Sequence, residues 1–150
     1  MNILTVNLIL STVVFFVTAK IYLFPQLHRL EPRLVLLPIL LLHSMRHLGL
    51  MFLAPGAIYA GMPSQFAVPA AFGDLLAAFL ALSSVAALVM QARAARLLVW
   101  IFNIEGSLDL AVAIALATIF DAPPWMGPAY WIPVIWVPAS SRISSCSSYS

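Results

Sequence analysis

LVLLPILLLHSMRHLGLMFL, Leu34–Leu53, decides how this chain is read. It is an apolar run of the length that crosses a bilayer, about 20 residues. Yet it carries His43, Arg46 and His47 within five positions. The run therefore poses two questions: what else in the chain has this length, and what faces those three side chains.

Three further segments have the length and apolarity of a span: Ile3–Phe24, Ala70–Met90 and Leu97–Phe120. The whole chain is 63% apolar and only 8% charged, where a soluble domain carries about 25% charged residues. These numbers predict an all-α integral membrane helical bundle in contact with lipid. Residues 1–138 form one transmembrane domain of four transmembrane helices, and residues 139–150 a polar, serine-rich tail. The N-terminus has no basic stretch, and Ala19-Lys20 is unlike a cleavage site, so the first segment reads as a retained span. Net charge is only +2, with no basic stripe, which argues against nucleic acid as a partner. Cys146 is the single cysteine, so no disulfide framework is expected.

Proline and glycine mark the connections. Pro25 and Pro32 bracket a first loop, QLHRLE, in which His28 reads as solvated. Ala54–Val68 holds two prolines and two glycines and reads as a loop, with Pro69 at the start of the third helix. Pro38 falls in the first turns of the second span, a position that can kink it. Lys20, Arg29 and Arg33 cluster around loop one, and Arg93 and Arg96 occupy loop three. Loop two and Asp121–Pro138 contain no Lys or Arg. The positive-inside bias then puts loops one and three in the cytoplasm and the N-terminus outside. Trp125, Tyr130, Trp131 and Trp136 suit the outer headgroup level as aromatic anchors; a lid over a ligand is the alternative.

A fifth helix begins at Trp131 and then gives way to ASSRISSCSSYS. Apolar codons with a central T become serine codons when the frame slips by one base. One allowed set of codons for Ser140–Ser150, read in the neighbouring frame, spells VTHFIMFIVF, a further span with a histidine. The tail is thus read either as a frameshift product replacing a fifth span or as a disordered polar tail.

Three of the five acids lie inside predicted spans: Asp74, Glu105 and Asp109. A charge at the bilayer centre costs roughly 2.5–3.5 kcal/mol on insertion scales, so these groups are expected to face one another. On an α-helix His43, Arg46 and His47 share a face, as do Glu105 and Asp109. Asp74 lies beside the small-residue stripe Gly73, Ala77, Ala81, which permits close helix approach. Asp109 continues into Ala113 and Ala117. At about 1.5 Å per residue, His43 stands level with Glu105, Arg46 with Asp109, and His47 nearest Asp74.

The expected pocket is therefore His43, Arg46, His47, Asp74, Glu105 and Asp109. Three readings of it stand side by side. It is a polar network that fixes helix packing in a structural or accessory subunit, with Arg46–Asp109 as its ion pair. Or it is a site for protons or a small ligand, since imidazole changes charge near neutral pH. Or it holds a metal or haem, cofactors that two His and two carboxylates can ligate. Arg46 opposes a cation there, and both His sit on one helix. Asn103 and Ser107 lie on flanking faces and read as helix–helix hydrogen-bonding residues. No nucleophile motif, P-loop, dinucleotide fingerprint or CxxC is present, and Lys20, the single lysine, is at a span end where it snorkels. An enzyme is accordingly the less favoured class. Self-association into a homo-oligomer or membrane complex fits so few spans.

RHLGLMFLAPG (Arg46–Gly56), FAVPAAFGDLLAA (Phe66–Ala78) and FNIEGSLDL (Phe102–Leu110) resemble stretches of a group of small, uncharacterised bacterial inner-membrane proteins. These carry RHxGLMFLxPG and PAAxGDL patterns and a last span with a VTH-like stretch. The resemblance covers most of residues 34–138. It implies a helical membrane fold and places Arg46, His47 and Asp74 at matching positions. The serine tail departs from the pattern.

Overall fold

A computed structural model describes residues 3–18, 20–21 and 31–140. Every element within them is helical. In chain order these are α1 (Ile3–Thr18), α2 (Pro32–Ser44), a 3-10 helix (Met45–Leu53), α3 (Ser64–Val89), α4 (Ala95–Ile119), two 3-10 turns (Pro123–Trp125 and Gly127–Tyr130) and α5 (Trp131–Ser140). Among the described residues three stretches are long and apolar enough to cross a membrane: Arg33–Leu53, Ser64–Val89 and Ala95–Ile119. The segment expected as the first of four spans is described as the 16-residue α1, with residues 22–24 outside the description. His28 and most of the serine tail also lie outside the described residues.

The expected second span is not one α-helix. α2 starts with Pro32 in its first turn, where the missing N–H costs nothing, and carries Pro38 inside. At Met45 the chain tightens into a 3-10 helix of nine residues. Such runs seldom exceed three or four residues. Their rise of about 2.0 Å per residue stretches this segment to about 18 Å, against about 14 Å as α-helix. The repeat also falls to three, so Arg46, Gly49 and Phe52 are the buried residues of this segment.

α3 starts earlier than expected. Pro63 accepts the amides of Phe66 and Ala67 at 3.0 Å each, so Ser64–Val68 is helical and Pro69 lies inside the helix, not at its start. Pro63 is the better starter because its carbonyl serves two of the free amides of the first turn. α3 ends at Val89 with Gln91 at φ +54°. Arg33 donates to the carbonyls of Leu88 and Val89, where a cation is favourable. The starts of α2 and α4 and the end of α3 thus share one end of the bundle.

α3 is the central helix. It packs against α4, the 3-10 helix and α2, while α1 packs chiefly against α5. Ala71, Ala77, Ala81 and Ser84 of α3 are wholly buried, which lets neighbouring backbones come close. Two apolar clusters form. Toward the Arg33 end, Leu40, Ala77, Ala81, Val99 and Phe102 pack together. Toward the other end, Phe52, Phe66, Ala70, Met126, Ala129 and Ile132 do so. The second cluster is roofed by the two proline-rich loops, which bond to each other: Tyr59 N–H to Trp125 O at 3.0 Å and Ala129 N–H to Ala57 O at 2.9 Å. Trp125 and Trp131 remain exposed beside this clasp.

Candidate functional site

Between the two apolar clusters lies one layer of ionic side chains. Asp74 sits about 22 Å from the Arg33 end along α3 and Asp109 about 21 Å along α4, from the rise per residue. Arg46 enters from the 3-10 helix at this height and binds both. Its Nε donates to Asp74 Oδ1 at 2.7 Å, and its Nη2 reaches the same oxygen at 2.6 Å. Nη2 also donates to Asp109 Oδ2. Arg46 is 4% exposed, Asp74 16% and Asp109 10%. One planar guanidinium holding two carboxylates is the use for which Arg is suited and Lys is not.

Three glycines shape this layer. A Cβ on Gly49 would land on the Asp74 carboxylate, and a Cβ on Gly73 would land on the Asp109 carboxylate. A Cβ on Gly106 would stand 3.3 Å from Arg46 Nη1. The relation is cyclic. The 3-10 helix makes room for the acid of α3, α3 for the acid of α4, and α4 for the base of the 3-10 helix. Each helix contributes one ionic group to the triad and one glycine. Sequence reasoning singled out Gly73 only as part of a stripe and overlooked Gly49 and Gly106. The signal was present: each glycine stands next to, or three residues from, its own helix's charge.

The other expected residues take different positions. His43 is 2% exposed and meets the Phe102 ring edge-on, with centroids 5.3 Å apart. Among the described residues neither of its ring nitrogens has a protein partner, nor do Arg46 Nη1, Asn103 Nδ2 and Glu105 Oε2. His47 is exposed, with Nδ1 2.9 Å from Ser44 O. The expected approach of His47 to Asp74 is therefore corrected: Arg46 takes that carboxylate. The cause is the change of helix type: an α-helix keeps His43 and His47 within about 40° of each other, whereas the repeat of three puts Arg46, Gly49 and Phe52 on the buried face and His47 off it. Glu105 and Asp109, with Ile101, Ile104, Leu108 and Val112, line an open groove of about 430 Å³ on α4. Ser107 donates to Asn103 O on its own helix at 2.7 Å. Among the described residues no group of three His, Cys, Asp or Glu side chains converges on a point that a metal ion could occupy.

A family model described as Domain of unknown function (DUF8737) matches residues 3–145. The chain belongs to this family. No curated protein and no solved structure matches it.

Proposed function

We propose that the chain is a multi-pass inner-membrane protein whose Arg46–Asp74–Asp109 layer, with Glu105 and His43 beside it, takes up protons or a small cationic ligand near mid-membrane. By its length and apolarity the segment Ile3–Phe24 is a fourth span. The N-terminus faces outward and the Arg33, Arg93 and Arg96 end faces the cytoplasm.

The observation that carries the reading is charge balance. Three carboxylates, Asp74, Glu105 and Asp109, stand on two adjacent helices against the single guanidinium of Arg46. Fully ionised, the layer would hold two uncompensated negative charges, at a depth where each is costly. Protons or a bound cation supply the balance. A groove on the face of α4 runs beside Glu105 and Asp109.

The glycine cradles favour a second reading, in which the triad only fixes helix packing. Reconstitution separates the two. The full chain is placed in vesicles containing a pH-sensitive dye, and a membrane potential is imposed with and without a small organic cation outside. Proton or cation entry in the wild type, lost in Glu105→Gln and Asp109→Asn variants that still fold, supports the site. Entry no faster than in protein-free vesicles leaves the packing role.

A further inference from the structure

The buried polar atoms without a protein partner are not spread evenly. Among the described residues there are six: five belong to His43, Arg46, Asn103 and Glu105, and the sixth, Tyr130 Oη, lies at the clasped end. His43 precedes Arg46 in the chain, and Asn103 and Glu105 precede Asp109 on α4. Both segments run away from the Arg33 end, so these residues lie at the ion layer or on its Arg33 side. Phe102, the neighbour of Asn103, touches the His43 ring, which sets this turn of α4 opposite the imidazole. On the other side of the layer Phe52, Phe66, Ala70, Met126 and Ile132 fill the bundle, and the Tyr59–Trp125 clasp closes it.

Buried polar atoms in folded proteins are satisfied by protein or by ordered water. A polar recess with several partners is where internal water resides. Beside His43 the donors are Arg46 Nη1 and one ring nitrogen, and the acceptor is the other ring nitrogen; Asn103 Nδ2 and Glu105 Oε2 flank this turn of α4 on opposite sides. A metal cation cannot accept from the donors, and a simple anion cannot donate to the acceptor. The occupant must do both, and water is the smallest molecule that does.

We propose that the space beside His43, between α2 and α4, is a water site that joins the Arg46–Asp74–Asp109 layer toward the Arg33 end of the bundle and not toward the clasped end. Used as a path for protons, this water rests on the function proposed above; its presence does not.

The test uses the full chain in lipid nanodiscs. In the variant His28→Gln/His47→Gln, His43 is the only histidine, and magnetisation transfer from water to its isotope-labelled ring is read by NMR. Transfer to the ring is expected. A folded protein whose imidazole receives none overturns the inference. A second measurement does not touch the histidines. In a Cys146→Ser background, Asn103→Cys and Leu116→Cys report the two sides of the layer to a small, membrane-impermeant thiol reagent. Asn103→Cys is expected to react several-fold faster, and from the Arg33 end alone. Equal rates, or a faster Leu116→Cys, overturn the one-sided connection. Positive results here with no proton or cation entry in vesicles sink the proposed function and leave the water site standing.

Discussion

Arg46 is the residue on which the packing depends most. It is held by two carboxylates and buried, so removing it strands both acids. Arg46→Met should cost about 3–5 kcal/mol, the range for breaking a buried ion pair from one side. The triple variant Arg46→Met/Asp74→Asn/Asp109→Asn should recover much of that loss, because neither aspartate is left as an unpaired charge. Unfolding in mixed micelles by increasing denaturing detergent measures both; a triple variant as unstable as the single one would contradict the argument. The Arg46–Asp109 contact was legible in the sequence, because depth along two apolar segments is counted from their ends and matched. The Asp74 contact was misassigned to His47. Depth was right for Asp74, but the direction of a side chain depends on helix type, and composition gives no sign of a 3-10 segment here.

At the scale of elements, the 3-10 helix Met45–Leu53 sets which side chains face inward. A cysteine at position 47 should therefore react readily with a lipid-soluble maleimide, and one at position 43 should not; equal labelling would mean a continuous α-helix. The glycine cradles make a graded prediction. Gly49→Ala and Gly73→Ala press a methyl onto a carboxylate held by Arg46. Each should destabilise by about 1–3 kcal/mol, as overpacking does. Gly106→Ala meets only the end of the Arg46 side chain and should cost less than either, in the same detergent titration. Helices α3 and α4 were legible because each is a long apolar stretch bounded by turn residues. The start of α3 was missed because Pro63 and Pro69 both offer a plausible first turn, and only backbone hydrogen bonds distinguish them.

The whole molecule has two unlike ends. One is tied by Arg33 to the end of α3. The other is closed by loops that bond through their backbones, with Gly61 at φ +108° lying under the Trp125 ring. A Cβ on Gly61 would stand 2.7 Å from that ring. Gly61→Ala combines this clash with a conformation that other residues rarely adopt, and should cost about 1–3 kcal/mol. Thermal unfolding followed by tryptophan fluorescence would record it, and an unchanged midpoint would refute the clasp. Proline content marked both loops in the sequence. Their mutual pairing was not legible, because main-chain bonds between loops leave no pattern in side-chain identity.

On the membrane reading proposed above, the distribution of charge among the helices also bears on how the chain enters a bilayer during synthesis. Translation delivers the N-terminal portion first. Once α2 and α3 have left the ribosome, Arg46 and Asp74 are both present, and the nascent hairpin can insert with opposite charges cancelling at mid-depth. α4 emerges afterwards with Glu105 and Asp109 in its interior and no interior cation of its own. Its stable insertion therefore depends on a hairpin already in place, and a ribosome that stalls between the two events leaves a neutral intermediate rather than a charged one.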